Sequence, residues 1–304
     1  MRIIYLIGLF HILFVTASYG QKNYTITPNQ ALMDYPAKKE KHSHLDAVNV
    51  YDMDYKSADN LNIKGFLITP KDTSRTYPVI IYNRGGNGSF GMVSESLIVR
   101  FLSRIASHGF IVIGSQLRGS EGSEGVDEFG GREIEDVLSL FPIIGNLKSA
   151  DTAKIGQIGW SRGGITNFQL LKKSSKLRTT VNIAGPSDIL KTKRKIMFEV
   201  YRNRVPNYAI DSIRYANKVS PLFQIDSIRN KSASFLYIHG NSDTSVDIEN
   251  SRELHAETLK RNLKSELIIF PGGEHGLREQ YDALIDKIVS WLRSEFKLQG
   301  LQPK

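Results

Sequence analysis

The sequence predicts an α/β fold in which a mostly parallel central sheet is flanked by helices and carries a small helical cap insertion. From Gly65 onward, short β-branched apolar runs alternate with longer segments of helical period, and alternating strands and helices build parallel sheets. The 304 residues are 40% hydrophobic and 23% charged, which is typical of a globular protein with a sizeable core. The basic and aromatic stretch 186–221 is longer than one crossover helix requires, so it is the predicted cap.

Each predicted strand is a short apolar run that the flanking helices can bury. The strands are Gly65 to Thr69, Val79 to Asn83, Phe110 to Ser115, Ile155 to Trp160, Thr180 to Ala184, Phe235 to Gly240 and Glu266 to Phe270. The predicted helices have apolar positions three and four residues apart. They are Ser94 to Ser107, Arg132 to Phe141, Gly163 to Lys173, Ile248 to Asn262 and Arg278 to Phe296.

The N-terminal residues 1–20 have the layout of a secretory signal peptide. Arg2 precedes the apolar run from Ile3 to Val15, and small residues follow up to Gly20. No later segment has the long uncharged stretch of a transmembrane helix, so we expect a secreted or periplasmic protein without stable membrane insertion after cleavage. An uncleaved anchor is the alternative. Residues 21–60 are the expected N-terminal extension, leading into antiparallel strands, and residues 61–304 form one expected catalytic domain.

Charge and composition argue against several classes of partner. The net charge is +9, but Lys and Arg are scattered and their dense runs are short, which favours a solvated basic face over a nucleic-acid site. The chain has no cysteine, so it has neither disulfides nor thiolate ligands. His42 and His44 have no neighbouring ligand pair, and we expect no metal and no other cofactor.

The motif Gly159-Trp160-Ser161-Arg162-Gly163-Gly164 carries the pattern G-x-S-x-G directly between an apolar strand and helical sequence. This layout predicts a nucleophile elbow, a strained turn where glycines let neighbouring backbone approach the serine. Ser161 is the candidate nucleophile, and the backbone N–H of Arg162 can face an oxyanion on the substrate. The pattern also occurs by chance, in which case Ser161 would be a helix cap.

A nucleophile elbow implies the α/β-hydrolase fold, in which an acid and then a histidine follow the serine on loops after later strands. Asp243 lies on a turn after the strand ending at Gly240, and His275 lies in a glycine-rich loop after the strand ending at Phe270. Both loops fall at the sheet edge that carries Ser161. Asp243 is therefore the candidate acid and His275 the candidate general base.

Other acids and histidines remain as alternatives. Asp188 follows an earlier strand and could replace Asp243, whereas Asp247 has the position of a helix cap. His239 ends a strand, where a structural hydrogen bond is the favoured role. Outside the predicted signal peptide, the remaining histidines lie in helices or in the irregular N-terminal region, and they are His42, His44, His108 and His255.

The strand from Val79 ends in Tyr82-Asn83-Arg84-Gly85-Gly86. Its two glycines suit a loop whose backbone lies close to a substrate carbonyl, so Gly85 is a candidate member of the oxyanion hole. A plain glycine turn is the alternative. No Lys-Ser or Lys-Thr pair follows, which argues against a phosphate-binding loop.

These motifs together resemble the catalytic domain of the prolyl oligopeptidase family, whose members are serine hydrolases of the α/β-hydrolase superfamily. Besides the segments already named, the resemblance covers 118–122, 129–133 with Asp136, His239-Gly240 with Asp243, and 273–276. The 82 residues from Ser161 to Asp243 and the 32 from Asp243 to His275 are similar to the family's spacing.

The chain also departs from the family pattern in two respects. Its peptidases usually carry a β-propeller before the catalytic domain, and fewer than fifty residues separate Gln21 from Gly65, so we expect none here. Where many members have a tyrosine or histidine in the oxyanion hole, this chain has Arg84, which could donate through its side chain or its backbone.

The expected function is hydrolysis of ester or amide bonds through Ser161, Asp243 and His275, by way of an acyl-enzyme and without a cofactor. The expected partner is a small-molecule ester or a short peptide. A peptidase acting on short peptides is the alternative, and a non-catalytic binding protein that keeps this fold is a further one.

Overall fold

The computed structural model describes residues 23–33 and 42–298, and in them nine strands form one sheet. The strands are β1 Tyr24–Pro28, β2 Val48–Lys56, β3 Asn62–Pro70, β4 Tyr77–Asn83, β5 Ile111–Ser115, β6 Ala150–Trp160, β7 Leu177–Ile183, β8 Ser234–Gly240 and β9 Ser265–Phe270. The predicted signal peptide, 1–20, lies outside the described residues.

The strand order across the sheet is β1-β2-β3-β5-β4-β6-β7-β8-β9. The pairs β5-β4, β4-β6, β6-β7, β7-β8 and β8-β9 are parallel. The pairs β1-β2, β2-β3 and β3-β5 are antiparallel. The predicted α/β fold with a mostly parallel sheet is thus confirmed. Residues 24–28 and 48–56, in the range expected as an N-terminal extension, are strands of this same sheet.

Helices cover both faces of the sheet. The α-helices are α1 Gln30–Met33, α2 Glu95–Leu97, α3 Ser103–Ser107, α4 Glu133–Leu138, α5 Leu140–Asn146, α6 Gly163–Lys173, α7 Ile196–Arg204, α8 Ser212–Val219, α9 Glu249–Lys260 and α10 Tyr281–Glu295. A π-helical turn over Ile98–Leu102 joins α2 to α3. None of the helices in the described part of the chain has the length and apolar character of a membrane span.

Two predicted helices differ in detail from the observed ones. The segment from Ser94 to Ser107 is helical, but its middle turn is wound as a π-helix. The helix predicted from Arg132 to Phe141 is two helices, α4 and α5, which extend to Asn146. Pro142 lies in the first turn of α5 and has no N–H to donate to the preceding turn, which favours a new helix there.

The core lies on both faces of the sheet because side chains of a strand alternate between them. In β4, for example, Ile80 packs in one buried cluster with α10, and Ile81 packs in the other with α6. The sheet thus buries the apolar runs that the sequence showed.

The predicted cap insertion, 186–221, contains a short 3-10 helix at Ile189–Lys191 followed by α7 and α8. Its apolar side chains form a small cluster of their own, in which Tyr201 and Val219 pack with Phe129 and with Ile165 of α6. Because α6 begins next to Ser161, this packing fixes the cap beside the elbow.

Candidate active site

Ser161 lies between the end of β6 and the start of α6, as the nucleophile elbow requires. Its φ is +55°, a left-handed conformation that is uncommon for a residue with a side chain. The Ser161 N–H donates to the Ile183 carbonyl at 2.8 Å, which ties the turn to β7. Strained backbone of this kind is characteristic of functional sites, where the surrounding structure holds it.

The glycines of the motif are required by close backbone contacts. A Cβ on Gly159 would lie 2.3 Å from the Gly163 carbonyl oxygen, and one on Gly163 would lie 2.0 Å from that of Asn83. Both distances are far shorter than a carbon–oxygen contact allows. The elbow therefore packs directly against the end of β4, where the glycine loop begins.

Asp243 and His275 come from the loops after β8 and β9. A Cβ on Gly240 would lie 2.1 Å from the Gly273 carbonyl oxygen, and the Ser242 N–H donates to that oxygen at 2.9 Å. These contacts bring the two loops together. The result is a hydrogen bond of 2.7 Å between His275 Nδ1 and Asp243 Oδ2.

The Asp243 carboxylate is buried and fully engaged. Its Oδ1 accepts the backbone N–H groups of Ser245 and Val246 at 2.7 and 2.9 Å. Burial alone would raise the pKa of Asp243, but hydrogen bonds from His239, His275 and Val246 favour the charged form and hold that pKa well below its usual value. The carboxylate thus stays ionised at neutral pH and can orient His275.

His239 is a partner of Asp243 that the sequence analysis did not assign. It is fully buried, and its Nε2 lies 3.1 Å from Asp243 Oδ2 and 3.0 Å from the Val246 carbonyl oxygen. Both neighbours are acceptors, so Nε2 carries the proton and Nδ1, at 2.7 Å from Ser251 Oγ, accepts. The structural hydrogen bond expected of His239 is present. In the sequence, the position of His239 at a strand end, four residues before Asp243, was the signal for this contact.

The two alternative acids accept hydrogen bonds at the starts of helices. Asp188 Oδ1 accepts from the Leu190 N–H at 2.9 Å and caps the short helix Ile189–Lys191. Asp247 Oδ1 accepts from the Glu249 N–H at 3.0 Å at the start of α9. Neither forms the hydrogen bond to His275 that Asp243 makes.

The glycine loop after β4 packs against the elbow. A Cβ on Gly85 would lie 3.0 Å from the Trp160 carbonyl oxygen and 3.2 Å from Ser161 Cβ. This proximity puts the Gly85 backbone beside the serine. Arg162 is the next residue after Ser161, and its backbone begins the turn into α6. Gly85 and Arg162 thus flank the serine, where the oxyanion hole was expected.

The Arg84 side chain is directed away from the cavity, so the side-chain donor role considered for it has no support in the geometry. It is 1% exposed, and its guanidinium donates to the carbonyl oxygens of Gln116, Gly85, Phe90 and Gly88 at 2.8, 2.9, 3.2 and 2.6 Å. Burial, followed by the positive charge of Arg162, lowers the pKa of Arg84 to about 10. At neutral pH it is a cation that organises the loop.

A buried ion cluster next to the elbow is a second feature of the site that was not predicted from the sequence. The Arg162 guanidinium pairs with Asp127 at 2.5 and 2.7 Å and also contacts Glu133. Asp127 accepts the Gly88 N–H at 2.6 Å, and Arg162 donates to the Gly86 carbonyl at 3.0 Å. Burial would raise the pKa of Asp127, but Arg162 outweighs it and lowers that pKa. The cluster ties the glycine loop to the elbow.

The three candidate triad residues line one cavity of about 1030 Å³. Gly85, Gly86 and Arg162 line it too, and the cap contributes a wall that includes Ile189, Met197 and Tyr201. A cavity of this size suits a small molecule or a few residues of peptide. In the described residues we find no group of three His, Asp or Glu side chains arranged to hold a metal ion.

This fold, with a serine on a strand-to-helix turn inside a cavity, defines an α/β-hydrolase, and the chain is a serine hydrolase. It belongs to the prolyl oligopeptidase family, whose sequence model matches residues 98–299. The family resemblance expected from the motifs is confirmed. A second model, that of acetyl xylan esterase, matches residues 29–135.

Relatives and a solved structure agree with this assignment. The chain is 31% identical over 221 residues to the uncharacterized peptidase YtmA of Bacillus subtilis, covering 70% of this chain and 80% of that one. It is 23% identical to dipeptidyl peptidase 4 of Trichophyton equinum but spans 34% of its length. Acylaminoacyl peptidase of Pyrococcus horikoshii superposes with a TM-score of 0.72 at 21% identity, covering 87% of this chain and 45% of that chain. This likeness shows the α/β-hydrolase fold.

Arg84→Ala is expected to lower the free energy of unfolding by about 2 kcal/mol or more, because buried carbonyl oxygens lose their donor. Urea unfolding measures the difference. Arg132→Ala, which removes an arginine side chain that is 67% exposed, is the matched control and should change stability little. An Arg84 variant that unfolds like the wild type but loses turnover would instead make the side chain a direct donor to substrate.

Proposed function

We propose that the chain hydrolyses ester or amide bonds with Ser161 as nucleophile, His275 as general base and Asp243 as the acid that orients it. The observation that carries this proposal is the 2.7 Å hydrogen bond from His275 to Asp243 at the rim of the cavity that Ser161 also lines. An ionised acid bound to Nδ1 fixes the ring and leaves Nε2 to face the serine.

The reaction follows from these positions. His275 Nε2 takes the proton of the Ser161 hydroxyl as Oγ attacks the substrate carbonyl carbon. The negative charge that forms on the carbonyl oxygen would be stabilised by the backbone N–H groups of Arg162 and of Gly85, close to the positive end of α6. His275 then returns the proton to the leaving group. Water attacks the acyl-enzyme with the same base and releases the acid.

Fixed backbone donors are the basis of this oxyanion hole. The ion cluster of Arg162 with Asp127 holds the glycine loop through Gly86 and Gly88, and Arg84 holds it through Gly85 and Gly88. Donors that are already in place require no rearrangement as charge develops, which is why they accelerate the reaction.

Ser161→Ala is expected to lower turnover by on the order of a million-fold, the loss seen when a triad nucleophile is removed. Asp243→Asn and His275→Ala should each lower turnover severely too. Asp188→Asn and His239→Gln should mainly change the free energy of unfolding. Turnover of a nitrophenyl ester, with circular dichroism to verify folding, measures these effects.

Labelling by a fluorophosphonate probe distinguishes an enzyme from a binding protein with this fold. The wild type should be labelled and Ser161→Ala should not. If a folded Ser161→Ala variant kept a tenth of the activity, or if Asp188→Asn were more damaging than Asp243→Asn, the assignment would be wrong.

For the substrate, we propose small esters or small acylated compounds ahead of long polypeptides. Three observations support this choice. The acetyl xylan esterase model matches the N-terminal part of the domain, and the cavity holds about 1030 Å³. The cap wall around Met197 and Tyr201 limits the space beside Ser161. Esters also have the better leaving group, so they require less stabilisation of the transition state than amides do.

The chain should therefore hydrolyse a short-chain nitrophenyl ester with a higher kcat/KM than a matched aminoacyl anilide or a proline-containing peptide. Steady-state kinetics on the three substrates, with Ser161→Ala as the blank, measures the order. A higher efficiency on the peptide would reverse the proposal and favour the short-peptide peptidase to which the name of YtmA points.

We also propose that residues 1–20 direct the protein out of the cytoplasm, to the periplasm or the medium. The support is the sequence alone: Arg2, the apolar run from Ile3 to Val15 and the small residues before Gln21. After expression of the full chain in a bacterial host, N-terminal sequencing of the exported protein should begin at Gln21. Leu6→Arg, which interrupts the apolar run, should keep the protein in the cytoplasm. An intact N-terminus on active cytoplasmic wild type would exclude this role.

A further inference from the structure

The charges that line the cavity are unevenly matched. Lys191 pairs with Glu253 at 2.6 Å, and Lys193 contacts Asp247. Arg100, Arg194 and Arg278 also line the cavity, yet no ion pair joins them to a carboxylate in the part of the chain that the structure describes. The wall thus carries an excess of positive charge.

Two of these arginines converge on one tyrosine. The Arg100 guanidinium carbon lies 5.9 Å from the centre of the Tyr281 ring. Arg278 begins the 3-10 turn that leads into Tyr281 at the start of α10. The positive charges of both arginines favour an anion at this phenol, although burial is the larger influence and raises the pKa of Tyr281. The phenol thus remains a neutral donor near two cations.

Unusual backbone places both arginines on this wall. Arg100 is the central residue of the π-helical turn Ile98–Leu102, and such turns are frequent at functional sites. Leu277, directly before Arg278, has a φ of +44° although it is not glycine. Strain of this kind persists where the surrounding structure holds it. We take the two irregularities as independent indications that the positions are functional.

Arg100, Arg278 and Tyr281 lie on the His275 side of the cavity. Trp160 Nε1 donates to the His275 carbonyl oxygen at 3.0 Å, and the Trp160 and Tyr281 rings are 6.1 Å apart. The histidine is the group that protonates the leaving group, so the leaving group is bound next to it. Arg100, Arg278 and Tyr281 are therefore positioned to contact the leaving group.

We propose that Arg100, Arg278 and the Tyr281 hydroxyl bind a carboxylate on the leaving group of the substrate. A guanidinium presents paired N–H donors that match a carboxylate, and a phenol adds a third donor. The inference rests on the hydrolase function proposed above and adds to it the chemical class of the substrate. That substrate is an ester or amide whose leaving group carries a carboxylate.

Three matched esters test this selectivity. The first is the butyrate ester of 4-hydroxybenzoate, which has an anionic leaving group, and the second is the butyrate ester of 4-hydroxybenzamide, its neutral counterpart. The third, the glutarate monoester of 4-hydroxybenzamide, has its carboxylate on the acyl side. The wild type should favour the first over the second by about tenfold in kcat/KM, a ratio consistent with a few charge-assisted contacts from exposed arginines.

Arg100→Gln and Arg278→Gln should each reduce this ratio by about threefold, and the double variant should abolish it. Tyr281→Phe should reduce it as well. Arg178→Gln, which removes an exposed arginine on β7 outside the cavity, controls for net charge and should keep the wild-type ratio. Added salt should lower the wild-type ratio, because it screens the arginines.

Two results would overturn the inference. A wild-type ratio near one, or a ratio that Arg100→Gln and Arg278→Gln leave unchanged, would mean that these arginines face solvent and do not bind the leaving group. A preference for the glutarate monoester would place the anion on the acyl side. In either case the neutral ester would still be hydrolysed by a Ser161-dependent reaction. Failure of the proposed function is distinct, since then none of the three esters would be hydrolysed in that way.

Discussion

The site depends on one close approach of backbone, at the turn from β6 into α6. Ser161 adopts a left-handed conformation there, and Gly163 lies so close to Asn83 that no side chain fits between them. This contact joins the elbow to the end of β4 and so determines where the glycine loop can run. A similar contact between Gly240 and Gly273 joins the loops that carry Asp243 and His275. Glycine is required at these points because the backbones themselves are in contact.

Buried ion pairs and hydrogen bonds then hold the glycine loop against the elbow. Arg84 donates to the Gly88 carbonyl and Arg162 to the Gly86 carbonyl, and Asp127 bonds to Arg162 and to the Gly88 N–H. Leaving any of these groups unpaired would be costly away from water, so the loop has few other arrangements. Arg100 and Arg278, which also line the cavity, have no such acidic partners in the described residues, and there the charge is available to a ligand.

Much of the fold was predictable because parallel strands and their helices have strong local patterns. All seven predicted strands are present, and α6 has the predicted bounds. The π-helical turn after Leu97 could not be predicted, since its residues have ordinary helical spacing and its winding depends on packing. Chain order and loop position likewise pointed to Asp243 and His275. The Arg84 to Gln116 and Arg162 to Asp127 hydrogen bonds join residues 32 and 35 positions apart, so no local pattern predicts them.

The sequence by itself determined the class of protein, because the elbow pattern, its strand-to-helix setting and the order of acid and histidine are local features of the chain. It also made Gly85 and Arg162 candidates for the oxyanion hole, with a plain glycine turn as the alternative at Gly85. The tertiary structure decided which charges meet. It turned the Arg84 guanidinium onto the carbonyls of its own loop, paired Arg162 with Asp127, and set Arg100 beside Tyr281. The last two pairings join residues far apart along the chain, and the packing of the sheet and helices brings them within contact distance.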